Sequence, residues 1–405
     1  MSFSKEIIKS LAEEALFPQE ELMSVGKSKK QLSIGLPRET TYQEHRIPLT
    51  PEAVKVLVSN GHQVFIETNV GIHINFQDKD YSEAGAIVLY STEEVFKKDM
   101  VIKITPPSKK EISWMKKEST LLSALQFTKE LKDSLVELMK KNITAIAWDL
   151  IKDNEGIYPS IRAMSEIAGN ASILVASEIL SHHEKGQGVM MGGLSGVPPT
   201  EVVILGAGTV GEFATRSALG LGASVKIFDN SIYRLRRIQN DLGQRLFTSI
   251  LQPNELLKAL KSADVVVGAL RPIHGRTPVV VTSEMVSQMK FGSVIIDVSI
   301  DRGGCFETSE TTSHDNPTYE KYGVIHYGVP NIASRVAKTA SMALSNIFLP
   351  ILLSMGEVGG CENTIKTDNG FRHSVYLFKG SLTNEVIASV FNLPYKNIDL
   401  LIATI

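Results

Sequence analysis

Short apolar runs alternate with helical segments along the first part of this chain. Between residues 31 and 150, six runs of apolar or β-branched residues have the length of buried strands: LSIGL, HQVFIE, AIVLY, VIKIT, TLLSAL and ITAIAWDL. Helix-start signals lie between them, with Pro51 directly after the N-cap candidate Thr50, and Ser91 and Glu94 at capping-box spacing. This alternation is typical of a parallel sheet covered by helices on both faces.

A second region with the same alternation runs from about Ser165 to Asn331, where VVVGAL, SVIIDVSI and VIHYGV are its later strands. A long apolar helix is predicted to follow near Ala333, then a loop over residues 356–371, and a last helix over residues 382–391. We therefore predict an α/β fold with two Rossmann-like, doubly wound parallel-sheet domains and a cleft between them.

The stretch from Glu201 to Asp229, EVVILGAGTVGEFATRSALGLGASVKIFD, carries the strongest motif. An apolar strand is followed by Gly206, Gly208 and Gly211 in G-x-G-x-x-G spacing, with Thr209 and Val210 at the start of a small-residue helix. A second apolar strand then ends on an acid. This order is typical of a dinucleotide-binding loop, in which the helix N-terminus faces the pyrophosphate.

Asp229 indicates which dinucleotide is bound. A carboxylate at the end of the second strand accepts hydrogen bonds from the adenosine ribose and repels a 2′-phosphate, so NAD is favoured over NADP. Arg234 and Arg236 lie just downstream and would weaken that repulsion, although solvated helix charges are the simpler explanation of both.

The composition of the chain excludes several classes of function. The chain has 405 residues, 43% of them hydrophobic, which suffices for two separately packed domains. The net charge of −2 argues against a nucleic-acid partner or a membrane-surface partner. Two cysteines suit a reducing, cytoplasmic setting, and no metal-ligand spacing is found. The N-terminus carries acids through its apolar positions, unlike a signal peptide, and the apolar segment 341–355 is too short and interrupted for a membrane span.

Four polar residues lie at or near predicted strand ends, where chemistry in open α/β sheets concentrates. Arg46 precedes a helix, Lys103 interrupts the strand VIKIT, Asp301 ends VSI, and Asn331 follows Val-Pro. Three of them have a plainer alternative: a surface ion pair for Arg46, an edge-strand lysine for Lys103 and a turn cap for Asp301.

These residues stand in segments that resemble alanine dehydrogenases, in the family that also contains the NAD-binding subunit of proton-translocating transhydrogenase. The segments include GLPRETTYQEHRIPLTPEAVKVLVSNGHQVFIE, MVIKITPPSKKE, MSEIAGNAS, GAGTVGEFA and SVIIDVSIDRGGCFETSETTSHDNPTYEK, in the family's order from about residue 31 to residue 400. MSEIAG and IDRGGCFET with HDNPTYEK favour the alanine dehydrogenase branch.

The resemblance implies a role for each matching position. It makes Arg46 the anchor of the substrate carboxylate, Lys103 the cation beside the substrate carbonyl or imine, and Asp301 a group near the nicotinamide. It also implies that Asn331 lines the substrate pocket and that Ser165 contacts the cofactor. The resemblance also implies two domains. Residues 1–159 and 338–405 form a substrate domain, in which 1–30 is an appended helical extension, and residues 160–337 form an NAD-binding domain. It further implies a homohexamer that acts on a small amino or keto acid.

Gln126 departs from the family pattern, because it stands where the family has an acid–base histidine. An amide donates and accepts hydrogen bonds but does not exchange a proton near neutral pH. If the chain deaminates L-alanine with NAD, then Lys103 or Asp301 must supply the acid–base group. Two alternatives stay open: oxidation of a related amino or keto acid that Gln126 recognises, and NAD(H) binding without substrate chemistry, as in the transhydrogenase subunit.

Overall fold

The structure is a computed structural model that describes residues 29–126, 131–183, 186–272 and 275–403. The predicted N-terminal helix lies almost wholly outside these residues. Within them, fifteen strands form: β1 (Ser33–Leu36), β2 (Gln63–Glu67), β3 (Ile87–Leu89), β4 (Met100–Ile102), β5 (Thr120–Ser123), β6 (Thr144–Ala147), β7 (Glu201–Leu205), β8 (Ser224–Phe228), β9 (Phe247–Ser249), β10 (Val265–Gly268), β11 (Val294–Asp297), β12 (Thr318–Lys321), β13 (Val324–Tyr327), β14 (Val375–Phe378) and β15 (Ser381–Leu382).

The α-helices over the same ranges are α1 (Pro51–Ser59), α2 (Asp78–Glu83), α3 (Thr92–Phe96), α4 (Lys109–Trp114), α5 (Leu131–Lys140), α6 (Pro159–Ser181), α7 (Thr209–Gly220), α8 (Ile232–Leu242), α9 (Pro253–Ser262), α10 (Ser283–Ser287), α11 (Ala337–Glu357), α12 (Cys361–Thr367), α13 (Asn369–His373), α14 (Glu385–Phe391) and α15 (Ile398–Ala403). Short 3-10 turns occur at Ile72–Ile74, Trp148–Leu150, Val298–Arg302 and Ile332–Val336.

The strands form two sheets, with helices around them, which confirms the predicted α/β class. The first has the order β15-β14-β6-β5-β4-β1-β2-β3 and the second the order β12-β13-β11-β10-β7-β8-β9. Strand β7 pairs in parallel with β8 and β10, and β4 pairs in parallel with β1 and β5. The carboxyl ends of the parallel strands therefore share one edge in each sheet, as a cleft site requires.

Antiparallel pairs at one edge of each sheet depart from the all-parallel prediction. Strand β12 pairs antiparallel with β13, and β14 pairs antiparallel with β6 and β15. Each hairpin turns on two residues with positive φ, Tyr322-Gly323 and Lys379-Gly380. This backbone matches the twist of paired strands and allows a two-residue connection, whereas a parallel pair needs a long crossover.

Helix positions follow the sequence pattern with several corrections. The predicted loop 356–371 is wrong, because α12 and most of α13 lie there, and the Asp368 side chain accepts the Phe371 amide at the second helix start. The last predicted helix begins only at Glu385, since β15 occupies residues 381–382. Helices α1 and α3 begin after Thr50 and Ser91 as predicted, but neither side chain makes a capping hydrogen bond.

The predicted long apolar helix is α11. With the turn before it, Ile332–Glu357 is long and apolar enough to cross a membrane by length and composition, so the sequence argument from length was wrong. Leu344, Phe348 and Leu352 are instead buried in the core of the first sheet's domain, where the Phe348 ring meets Trp148 edge-on at 5.9 Å. The helix packs as a core element against α1 and α6.

Candidate active site and dinucleotide-binding loop

The loop between β7 and α7 has the geometry that its three glycines predict. Gly206 has a φ of 114°, and a Cβ there would lie 2.5 Å from the Ala269 carbonyl oxygen. A Cβ on Gly211 would lie 1.8 Å from the Gly206 carbonyl oxygen, so the helix approaches the loop at glycine distance. A Cβ on Gly208 would meet nothing within 4 Å. The middle glycine therefore faces open space at the N-terminus of α7, where a pyrophosphate would lie.

Asp229 directly follows β8 and is buried beside this loop. Its Oδ2 accepts the Ala207 amide at 2.8 Å, and its Oδ1 accepts the Ser231 amide at 2.7 Å. The carboxylate therefore fixes the glycine loop. The Arg234 guanidinium lies 3.7 Å from Oδ2 and is half exposed, an ion pair that the sequence left open.

A cavity of about 270 Å³ extends from the glycine loop toward the first sheet. Predicted site residues Ser165 and Val210 meet Asp301 and Asn331 there. Further lining residues include Asp149, Met164, Arg271 and Arg302, none of which the sequence pattern singled out. The cavity thus joins the dinucleotide loop to side chains of both domains, which is where a nicotinamide ring and a small substrate would meet.

Arg46 does not line this cavity itself, but a chain of hydrogen bonds across the domains joins it to residues that do. Its Nε and Nη2 donate to Glu44 at 2.7 and 2.6 Å, in a buried two-point pair. Glu44 also accepts the Asn331 side-chain amide at 3.2 Å. The Asn331 backbone N–H donates to Asp301 Oδ1 at 2.7 Å. Three predicted residues, Arg46, Asn331 and Asp301, are therefore linked through one carboxylate that the sequence analysis missed.

Asp301 borders the open cleft and is also surrounded by protein atoms. This desolvation raises the pKa of its carboxyl, while the Asn331 amide and the guanidinium groups of Arg46 and Arg302 lower it. The net direction is upward. Asp301 lies near the carboxyl end of the 3-10 turn Val298–Arg302. Gly303, with a φ of 92°, ends this turn.

Lys103 follows β4 directly rather than lying inside the strand, and β4 is an interior strand. The edge-strand explanation is therefore wrong. The side chain is 1% exposed, and its Nζ lies 2.9 Å from Glu111 Oε1 and 3.7 Å from Glu39 Oε2. Burial raises the pKa of Glu39, against the opposing effect of Lys103. Buried carboxylates therefore lie on two sides of the Lys103 side chain.

Gln126 lies three residues beyond β5, at the carboxyl edge of the first sheet, and is exposed. The preceding residue, Leu125, donates its backbone N–H to Asp149 Oδ1 at 3.1 Å. His45 adjoins Arg46 in sequence, but its ring packs on His73 at 4.4 Å and does not line the cavity. Its Nδ1 is buried without a hydrogen-bond partner in the described part of the chain.

Comparison with known proteins places both halves of the chain in one family. The model for "Alanine dehydrogenase/PNT, N-terminal domain" matches residues 35–168, and that for the C-terminal domain matches residues 172–385. Alanine dehydrogenase 2 of Staphylococcus aureus strain Mu50 is 37% identical over 369 residues, covering 91% of this chain and 99% of the relative.

Solved structures give the same result. An L-alanine dehydrogenase superposes with a TM-score of 0.83 at 38% identity, covering 89% of this chain and 99% of that one. A transhydrogenase from Sinorhizobium meliloti superposes with a TM-score of 0.73 at 23% identity, covering 87% and 99%. The second likeness extends to the fold alone.

Proposed function

We propose that this chain, which belongs to the alanine dehydrogenase/PNT family, catalyses the reversible NAD-dependent oxidative deamination of L-alanine to pyruvate and ammonium. The observation that carries the proposal is the hydrogen-bonded series Arg46–Glu44–Asn331–Asp301, which ends at the cavity leading to the glycine loop. The proposed carboxylate anchor is thereby connected to a cavity that Val210, at the start of α7, also lines.

Arg46 is the substrate anchor. Glu44 occupies Nε and Nη2, whereas Nη1 lies 3.4 Å from the Met164 thioether, a weak acceptor. A substrate carboxylate would replace that weak contact with a charge-assisted one. Asn331 and Glu44 hold the guanidinium orientation, and the Lys103 ammonium would stabilise negative charge developing on the substrate oxygen.

The residues at the glycine loop fit NAD. Open space at Gly208, the N-terminus of the twelve-residue helix α7 and the buried Asp229 carboxylate match a pyrophosphate and a ribose diol. Bound NAD⁺ supplies the hydride acceptor for the substrate α-carbon. Thr209, Val210 and Ser165 would pack on the cofactor, Asp229 would hold the ribose, and Asp301 would border the nicotinamide.

A substitution at Gly208 tests the cofactor proposal without any turnover. Gly208→Ala should leave the melting temperature unchanged, since its Cβ would meet nothing within 4 Å. It should weaken NADH binding at least tenfold in a fluorescence titration, because the methyl group takes space near the pyrophosphate. Unchanged NADH affinity would contradict the assigned loop.

A panel assay tests the reaction. Purified chain with NAD⁺ should reduce the dinucleotide in the presence of L-alanine and form pyruvate. Turnover with another amino acid and none with alanine would show that the other amino acid is the substrate. NADH binding without turnover on any amino acid would favour a transhydrogenase-like binding role.

We also propose a cytoplasmic homohexamer. Exposed apolar side chains cluster in one short segment, Val189, Met190, Leu194 and Val197, which fits burial against another copy. Mass photometry of the wild type should give six times the mass of 44.4 kDa. A monomer at micromolar concentration would reject this assembly.

A further inference from the structure

Asp149 lies at the cleft, and hydrogen bonds of neighbouring residues hold it in place. It lies two residues beyond β6, in the 3-10 turn Trp148–Leu150. The Trp148 indole N–H donates to the Ile104 carbonyl at 3.0 Å, which ties this turn to the end of β4. Asp149 Oδ1 accepts the Leu125 amide beyond β5. The carboxyl group is thus held beside the residue that precedes Gln126.

The second carboxylate oxygen, Oδ2, accepts no backbone N–H from another residue among the described hydrogen bonds, and the residue lines the cavity together with Asp301. The charged or titratable groups that act on it are Arg271, across the cleft, and Tyr376, on neighbouring β14. Burial raises the pKa of Asp149, while the Leu125 amide, the residue's own amide and Arg271 oppose the rise. A carboxyl whose pKa moves toward neutrality can both accept and return a proton at working pH.

The other polar groups of the site are engaged in charged contacts. The Lys103 side chain is paired with Glu111 at 2.9 Å. Burial also raises the pKa of Asp301, but this carboxyl accepts the Asn331 amide and lies near the guanidinium groups of Arg46 and Arg302, which oppose the rise. Gln126 carries an amide that does not titrate. Asp149 is left as the carboxyl group that lines the cavity, has a raised pKa and faces a single arginine.

We propose that Asp149 is the acid–base catalytic residue of this chain, a role the sequence analysis did not assign. This inference rests on the proposed deamination. Once the substrate amine has been oxidised to the iminium, a water oxygen bonds to the α-carbon and passes one proton to the Asp149 carboxylate, which gives a neutral carbinolamine.

The same proton then completes the reaction. Protonated Asp149 returns it to the carbinolamine nitrogen, and the C–N bond breaks with its electron pair on nitrogen as the hydroxyl proton leaves and the carbonyl forms. Ammonia and that hydroxyl proton leave together as ammonium. The net change is iminium plus water to ketone plus ammonium, and Asp149 ends as the carboxylate with which it began.

Asp149→Asn tests the inference, since an amide oxygen still accepts the Leu125 N–H. The expected result is a fall in kcat for alanine of about 10²–10⁴-fold, with NADH affinity retained and no loss of melting temperature. The wild-type profile of log(kcat/KM) against pH should show an acid limb above the usual aspartate range, and this limb should vanish in the variant. Gln126→His added to Asp149→Asn should restore part of the rate.

Asp153→Asn is the matched control, because Asp153 is in the next loop and accepts the Glu155 and Ile157 amides away from the cavity. It should keep the wild-type rate and pH profile. Wild-type kcat in Asp149→Asn, or a lower rate with the acid limb intact, would overturn the inference while leaving the proposed function in place. A wild-type protein that does not oxidise alanine would defeat the proposed function before any variant is compared.

Discussion

Individual charged residues in the cleft are held in place by buried opposite charges. Arg46 pairs with Glu44, and Lys103 pairs with Glu111, each with side chains less than a tenth exposed. Removing one partner of such a pair leaves an uncompensated charge, which costs more than the pair itself contributes. Substitutions here must therefore separate lost chemistry from lost stability.

Arg46→Ala should cost about 2–4 kcal/mol in kcat/KM for alanine, because the charge-assisted carboxylate contact is lost. Arg46→Lys keeps the positive charge beside Glu44 but loses the planar two-point geometry, so it should fold normally and still be impaired. Steady-state kinetics and melting temperatures measure both variants. NADH affinity should hardly change, and intact turnover in Arg46→Ala would show that another group anchors the substrate.

Asp229→Asn should narrow the preference for NAD over NADP by about ten- to a hundredfold, which is about 1.4–2.8 kcal/mol. Repulsion of the 2′-phosphate disappears, Arg234 at 3.7 Å becomes available to it, and an amide oxygen still accepts one backbone N–H. The ratio of kcat/KM values with the two cofactors measures the change. Adding Arg234→Ala should remove most of the gain. A ratio equal to that of the wild type would show that the negative charge of Asp229 does not determine the preference for NAD.

Among individual residues, the sequence predicted site residues that lie at the end of a predicted strand. It missed site residues that can be recognised only from their contacts in the folded protein. Arg46, Lys103, Asp301 and Asn331 were expected at one cleft. Hydrogen bonds through Glu44 link Arg46, Asn331 and Asp301, whereas Lys103 pairs with Glu111 instead. Glu44 and Glu111 were missed, because partners two or eight residues apart in a loop or across domains follow no spacing rule. The Asp149 of ITAIAWDL did offer a signal, an acid just past an apolar run.

The element that organises the cofactor side is the β7–loop–α7 unit. Its sequence alone predicted the tight turn, the open middle glycine and the close helix, because each depends on local sterics. The hairpins β12–β13 and β14–β15 were not predicted. Their YG and KG turns resemble many other loop dipeptides, and the left-handed conformation that closes them becomes evident only in the paired sheet.

Gly211→Ala should displace α7 from the loop, since the new Cβ would lie 1.8 Å from the Gly206 carbonyl oxygen. We expect a loss of about 1–3 kcal/mol in stability together with weakened NADH binding. Gly220→Ala at the other end of α7 is the matched control, because its Cβ would meet nothing within 4 Å. Thermal unfolding and NADH titration of both variants measure the difference. Equal stability and equal NADH affinity of the two variants would mean that α7 can shift to accept the new Cβ without cost.

Over the whole molecule, the two domains also meet through polar contacts between the loop around Tyr42 and the loop around His314. The Tyr42 hydroxyl donates to Asp315 at 2.6 Å, and the His314 backbone N–H donates to the Gln43 side chain at 2.8 Å. The hydrogen bond from Tyr42 lowers the pKa of Asp315. Sequence patterns did not predict these contacts, because they depend on the relative placement of two independently folded sheets.

Tyr42→Phe should loosen this arrangement without unfolding either domain. Because Tyr42 lies four residues before Arg46 and its contact with Asp315 holds the loop that carries the proposed substrate anchor, KM for alanine should rise roughly two- to tenfold. Tyr90→Phe is a suitable control, since Tyr90 is 84% exposed. Equal KM values for the two variants would show that the Tyr42 contact does not position the substrate anchor.

The stability of the whole molecule should also depend on Asp149. Burial raises its pKa in the folded protein, so the folded state holds the proton more tightly than the unfolded chain does. Below the ordinary carboxyl value both states are protonated and no penalty exists. As pH rises from that value through the raised folded pKa, the unfolded chain ionises first and stability is lost. The amide introduced by Asp149→Asn does not titrate, so this variant should gain melting temperature relative to the wild type across this window and keep the gain at neutral pH. Melting curves from about pH 4 to pH 8 measure it, and a difference that stays constant with pH would mean that Asp149 is as solvated in the folded protein as in the unfolded chain.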